Sequence, residues 1–232
     1  MSRYVPMTGA DPAPVRAAAR VVADEIVLDL RSVPESGKID LVRLAVADAI
    51  TGLSWRAPAI LVALNEADTR WFREDIVQLV MLVGAGVDRV VVPGVRDPDQ
   101  LLAAVELLDE IEHEFPVRRP VAVAARVGCV HRPGELSALV AALHGISPRL
   151  DSLILDSSGP EADETRAYRE AAELAHAHGW TVFAGPVAGS AARIRTRARR
   201  AWQAGLDGTW ASDRHQLTAL RALQCQLDRR SS

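Results

Sequence analysis

The chain has 232 residues, with 27 Lys plus Arg against 30 Asp plus Glu, for a formal net charge of −3. Hydrophobic residues make up 49% and charged residues 25%, enough apolar side chain to offset the entropy of ordering, so disorder is excluded as the main state; the mild acidity offers no electrostatic reason to bind nucleic acid. Two cysteines, Cys129 and Cys225, exclude a disulfide framework and a cysteine-only metal site.

Short β-branched and aliphatic runs alternate with longer stretches at helical spacing. The first run is weak, Arg3 to Pro6, and a helix rich in Ala and Arg follows from Ala13 to Val22. Glu25 to Leu30 is the second strand, and its helix runs from about Lys38 to Thr51, with Gly52 suited to the left-handed turn that closes it. Ala59 to Asn65 precedes a helix from Arg70 to Val83, ended by Gly84 and Gly86. The fourth strand, Arg89 to Val92, stops at Pro93, and the next helix spans Asp97 to His113 with Asp97 as N-cap and Pro98 at its first position. Pro120 to Ala125 precedes a helix from Gly134 to Leu143. Ser152 to Asp156 precedes a helix from Glu161 to His178, closed by Gly179. Trp180 to Ala184 precedes an Arg-rich helix from about Ser190 to Ala204, closed by Gly205. Gly208 to Ala211 and a terminal helix from Asp213 to Leu227 complete the chain.

Eight strands, each followed by a helix, predict an α/β fold: one TIM barrel, (β/α)8, over residues 1–232. The repeat averages 29 residues, the size of one β/α unit. An open doubly wound sheet is the alternative, and the lack of a Gly-rich turn after the first strand argues against it. Met1 to Pro14 lacks the apolar core of a signal peptide, and no apolar run is long enough to span a bilayer, so the expected location is the cytoplasm, with neither membrane nor nucleic acid as partner.

A barrel of this kind works at the C-terminal ends of its strands. Several strand-end motifs occur there in a recurring order. Tyr4–Val5–Pro6 with Gly9 to Pro12 opens the chain, and Asp24 to Leu30 forms the second strand. Leu64–Asn65–Glu66–Ala67–Asp68–Thr69–Arg70–Trp71 ends the third. Val87–Asp88 to Val95 covers the fourth, and Ala204 to Ala211 with Gln216 the eighth. This ordered set resembles the citrate lyase β-subunit-like proteins of the HpcH/HpaI aldolase superfamily. The resemblance implies an oligomeric barrel that makes or breaks a carbon–carbon bond in an acyl-CoA thioester or a small oxo or hydroxy acid. It further implies Mg²⁺ held by one Glu and one Asp, stabilising an enolate, with an Arg holding substrate.

The departures fall on that machinery. The third-strand Arg aligns with Ala63. The fifth-strand metal Glu aligns with Ala125, or with Arg126 if the alignment slips by one. The metal Asp after the sixth strand aligns with Gly159. Both acids after Leu30 are replaced, by Arg31 and Ser32, and Arg96 stands where the fourth-strand motif has an acid. Without two acidic ligands a hard cation has little to hold it, so no metal ligands and no cofactor are expected.

Two readings follow. In the first, the chain is a catalytically degenerate or ligand-binding homologue. Arg31, Arg96, Arg126 and His131 then hold a small anion or a CoA thioester, and the chain assembles with itself or with a paralogue. In the second, it is an active carbon–carbon lyase with a rearranged site around Asp29, Asn65, Arg31, Arg126 and Asp156, and Mg²⁺ belongs to this reading alone. The bland counterparts are that Asp29 holds a strand-end turn, Asp156 caps a loop, and the arginines are solvated or paired with Glu35, Glu66 or Asp97. Five arginines between Arg193 and Arg200 read as a solvated helix face, and Cys129 as a buried thiol. His176 and His178, two apart on a helix, do not share a face.

Overall fold

A computed structural model of the chain describes residues 2–4, 13–32, 39–115, 117, 119–128, 135–156, 161–186 and 189–231. Strands and helices alternate as expected: β1 (Ser2–Tyr4), α1 (Ala13–Ala19), β2 (Glu25–Asp29), α2 (Ile39–Gly52), β3 (Ala59–Ala63), α3 (Trp71–Val83), β4 (Arg89–Val95), α4 (Pro98–Glu114), β5 (Ala122–Val127), α5 (Glu135–His144), β6 (Leu150–Leu155), α6 (Glu161–Ala177), β7 (Thr181–Ala184), α7 (Ala191–Gln203), β8 (Gly208–Ala211) and α8 (Arg214–Ser231). Strands β2 to β8 pair in chain order as one curled parallel sheet. The three-residue β1 pairs with both β2 and β8, so closure of the ring rests on this short strand. Among the described residues no helix is long and apolar enough to cross a membrane.

Several boundaries differ from the sequence expectations. Strand β4 does not stop at Pro93 but runs to Val95. Its register against β5 shifts between Val92 and Val95, and Gly94 takes φ +63° there. That irregularity absorbs the missing donor of Pro93, since proline within a sheet is tolerated at bulges. Strand β5 begins two residues late, at Ala122, because Pro120 has no N–H and the Val121 amide goes to Glu112 Oε1 at 2.8 Å. The shift matters, because it carries Arg126 into the strand. Strand β6 ends at Leu155, which leaves Asp156 as the first loop residue. Helix α1 stops at Ala19, short of Val22, while α8 continues past Leu227 to Ser231. Gly84, Gly179 and Gly205 adopt positive φ after α3, α6 and α7, as expected of closing glycines; Gly52 does not, being the last helical residue of α2. Asp97 caps α4, with Pro98 following and Gln100 completing a capping box.

The alternation of side chains across each strand separates two cores. Val27, Leu61, Ala63, Val91, Ala124, Ile154, Phe183 and Trp210 fill the barrel. Neighbours of the other parity, such as Ile26, Val62, Val92, Ala125, Leu153 and Val182, meet the helices. At the N-terminal end Arg89 closes the barrel, bonding both oxygens of Asp151 at 2.6 and 2.7 Å and Glu25 at 2.9 Å.

A second arginine is buried between helices. Arg43 of α2 has a fully buried side chain and donates to Asp75 of α3 at 2.7 Å, to Asp40 at 2.7 Å, to Glu74 at 3.1 Å and to the Trp71 carbonyl at 3.1 Å. Burial draws its pKa down, but its bonds to Asp75, Glu74 and Asp40 outweigh that, and the net shift is upward. Removing one member of a buried ion pair strands the other, at a cost of about 3–5 kcal/mol. Arg43→Met is therefore expected to lower unfolding free energy by about that amount in urea titrations. Arg195→Met, on the exposed face of α7, stays within about 0.5 kcal/mol of the parent. Equal midpoints for the two variants would show that the Arg43 network carries no stability.

Candidate site at the barrel mouth

Asp29 ends β2 and faces the mouth by the same parity that puts Val27 inside. The chain then enters a 3-10 turn, Leu30–Ser32. Asp29 Oδ1 accepts from the backbone N of Arg31 at 2.9 Å and from its Nε at 2.9 Å, while Oδ2 accepts from Nη2 at 2.5 Å. Asp29 thus does what its bland reading held, fixing a strand-end turn, and it also pins the Arg31 guanidinium. Burial pulls the Arg31 pKa down, but the bonds and charge of Asp29 and the fields of Asp156 and Glu66 more than reverse this.

Across the mouth, Arg126 and Asp156 form a second pair. Arg126 shares the parity of Ala124 and so points inward, whereas Ala125 belongs to the outer core. Of the two fifth-strand candidates, only Arg126 faces the site. Its Nε donates to Asp156 Oδ1 at 2.7 Å and Oδ2 at 2.8 Å. Its guanidinium carbon stands 5.6 Å from the ring centre of Trp210, a fully buried residue of β8. The Nη1 nitrogen is buried without a hydrogen-bond partner among the described residues.

Gly185, just after β7, gives Asp156 its place. A Cβ at Gly185 would lie 2.6 Å from Asp156 Oδ1 and 3.0 Å from the Leu155 carbonyl. The Gly185 amide donates to Leu155 O at 2.7 Å, and its carbonyl accepts from Arg197 Nη1 at 2.7 Å. Arg197 itself is buried, with Nε donating to Glu164 Oε1 and Tyr168 Oη, both at 2.8 Å. This corrects the solvated-face reading of α7: Arg193, Arg195 and Arg199 are exposed, but Arg197 shares a buried stripe with Ile194, Ala198 and Ala201. Those apolar neighbours, three before and one and four after, were the available signal. Burial pushes the Tyr168 hydroxyl far up its scale; the charge of Arg197 opposes this and Glu164 adds to it.

A cavity of about 720 Å³ opens beside these pairs. Arg31, Glu66, Arg96 and Asp156 line its strand-end side, and α5 lines the other with Glu135, Ala138, Leu139 and Ala142. These α5 positions follow i, i+3, i+4, i+7 spacing, so one helix face walls the cavity while Leu136, Val140 and Leu143 face the core. Arg96 is exposed on this rim and makes no ion pair among the described residues.

The structure therefore brings together Asp29, Arg31, Arg126 and Asp156, with Arg96 at the rim. Of the arginines that the sequence left open to Glu35, Glu66 or Asp97, Arg31 pairs with Asp29 and Arg126 with Asp156, while Arg96 makes no ion pair among the described residues and Glu35 lies outside them. Asn65 is not brought to them: its backbone N and Nδ2 both donate to Asp75 Oδ2 at 2.8 Å, which ties it into the Arg43 network. His131, Cys129 and Gly159 lie outside the described residues. His176 contacts Asp207 at 3.0 Å, whereas His178 stacks on His144 at 3.8 Å, so the two indeed face different neighbours. Sequence reasoning missed the α5 wall and the Arg197–Gly185 brace, and weighed Glu66 only as a partner for the arginines. Among the described residues no cluster of three or more His, Cys, Asp or Glu is placed to hold a metal ion.

A family model described as HpcH/HpaI aldolase/citrate lyase matches residues 4–141, more than half of the chain. The chain is 27% identical over 195 residues to the citrate lyase subunit beta of Leuconostoc mesenteroides subsp. cremoris, covering 82% of this chain and 60% of that protein. It is 28% identical over 155 residues to an L-malyl-CoA/beta-methylmalyl-CoA lyase of Cereibacter sphaeroides, covering 65% and 46% respectively. The chain thus spans about half the length of these curated relatives. The crystal structure of a citrate lyase from Burkholderia xenovorans superposes with a TM-score of 0.75 over 96% of this chain and 76% of the other, at 16% identity, a likeness of fold.

Gly185→Ala tests the seat of Asp156. The new methyl meets a carboxylate and a backbone oxygen, neither of which yields cheaply. A loss of about 1–3 kcal/mol is expected in thermal or urea unfolding, with Asp156 displaced from Arg126 in a crystal structure of the variant. An unshifted Asp156 would contradict the contact.

Proposed function

The chain belongs to the HpcH/HpaI aldolase/citrate lyase family, and from that premise we propose that it is a ligand-binding homologue whose metal–enolate machinery has been lost. The observation that carries this is the ion pair at the mouth: the inward-facing β5 residue is Arg126, its Nε bonded to both oxygens of Asp156. Ala63 occupies the third-strand place of the substrate-holding Arg, and its side chain is buried in the barrel core. A carboxylate already bonded to a guanidinium is a poor ligand for a hard dication, and no second carboxylate stands beside it on β5. The reading needs no cofactor.

The ligand is an anion with an apolar portion, such as a small acid or its CoA thioester. The cavity supports this, since Arg31 and Arg96 stand on one side and Ala138, Leu139 and Ala142 on the other. The name of the Cereibacter relative specifies CoA thioesters of malate and methylmalate. Association with a second copy or a paralogue is part of the same proposal. Leu41 and Leu44 on α2 and Met81 and Leu82 on the adjoining α3 leave large apolar side chains exposed. The cytoplasm is the proposed location.

Incubation with malyl-, citramalyl- and citryl-CoA, each with Mg²⁺, is expected to give no cleavage, while the same thioesters raise the melting temperature. Arg96→Ala is expected to weaken that thermal shift. Turnover of any of the three would overturn the non-catalytic reading, and no thermal response to any of them would overturn the ligand class.

A further inference from the structure

We infer that Arg126 is a resident cation in the mouth, filling the place a divalent metal would otherwise take, so that the site binds a small carboxylate directly and without metal. The inference rests on the ligand-binding reading above and names the group that does the binding.

The donor set does not suit the metal that the family resemblance implies. Four charged side chains meet at the mouth, Asp29, Arg31, Arg126 and Asp156, and their charges cancel. Both oxygens of each carboxylate already accept hydrogen bonds, Asp29 from Arg31 and Asp156 from Arg126. A hard dication needs several oxygen ligands and tolerates no competing cation beside them. Here it would meet the Arg126 guanidinium bonded to Asp156, whose field reaches Arg31 as well.

Arg126 is built to keep its charge in place. Asp156 holds Nε, the Trp210 ring lies 5.6 Å from the guanidinium carbon, and Asp156 is itself seated against Gly185. The brace continues outward, because Arg197 grips the Gly185 carbonyl and is held by Glu164 and Tyr168. A guanidinium so fixed still has donors to offer: only Nε is spent on Asp156, and Nη1 is buried with no acceptor among the described residues. Leaving a buried donor unmade is unfavourable, so the guanidinium retains hydrogen-bonding capacity for an oxyanion. Arginine matches a carboxylate with parallel N–H bonds, and it does so without the waters and geometry that Mg²⁺ demands.

Oxalate and Mn²⁺ are the probes, used on the full chain. Calorimetry is expected to show oxalate binding whose affinity is the same with and without EDTA, and about tenfold or more weaker in Arg126→Gln. Electron paramagnetic resonance is expected to show all Mn²⁺ free in the presence of the parent chain. Arg126→Glu places a second carboxylate beside Asp156 and is expected to capture Mn²⁺. If that variant does not fold, the parent and Arg126→Gln decide the matter. Bound Mn²⁺ in the parent that is released by Asp156→Asn overturns the inference. So does oxalate binding that is absent, that collapses in EDTA, or that is unchanged in Arg126→Gln. Metal-free cleavage of an acyl-CoA would instead defeat the non-catalytic reading and leave the role of Arg126 standing.

Discussion

Side chains alternate across a strand, and in a ring of parallel strands that alternation decides what every residue meets. A position of one parity enters the barrel and the next enters the layer beneath the helices. Val27, Leu61, Val91, Ala124, Ile154, Phe183 and Trp210 form the inner layer for this reason, and Asp29, Arg126 and Asp156 follow it at the mouth. A one-residue slip in β5 would bring Ala125 to the mouth and send Arg126 among the apolar contacts of the outer core. The Arg126–Asp156 pair, the packing over Trp210 and the need for glycine at position 185 all depend on that register.

Arginine is the recurrent strut of this protein. Arg89 closes one end of the barrel, Arg43 joins α2 to α3, Arg149 joins the start of β6 to Asp109 and Glu112 of α4, and Arg197 joins α7 to α6 and to the end of β7. Each meets at least one carboxylate, and Arg43, Arg149 and Arg197 also bond a backbone carbonyl. The planar fork suits such work, since it keeps its charge when buried and bonds several acceptors in fixed directions. Aromatics are only 4% of the chain, so these bridges complement a core of small aliphatic residues. The same chemistry at the mouth gives a site of paired charges, with Arg96 at the rim of the adjoining cavity.

Much of this is legible in the sequence. The alternation of apolar runs and helical stretches located every strand and helix to within a few residues, because a 2-residue and a 3.6-residue period are hard to confuse over a whole unit. The strand-end motifs carried the family, and Asp29, Arg31, Arg126 and Asp156 stand out by strand-end position taken together with the family resemblance. Ion-pair partners were not legible. Arg31 was weighed against Glu35, Glu66 and Asp97, yet bonds Asp29, two residues away. Asn65 looked like a strand-end site residue, yet Asp75, ten residues on, draws its amide into a helix junction. Arg197 stood in a run of five arginines and only packing told it from the rest.

Taken alone, the sequence determined the order of elements and the family, since these depend on residue type and local period. Only the tertiary structure decided which residues face the mouth and which charges cancel there. The reason is that facing and pairing are set by register and by contacts between distant segments. Arg126 and Asp156 are thirty residues apart, and the register of β5 against β6 brings them within 2.7 Å.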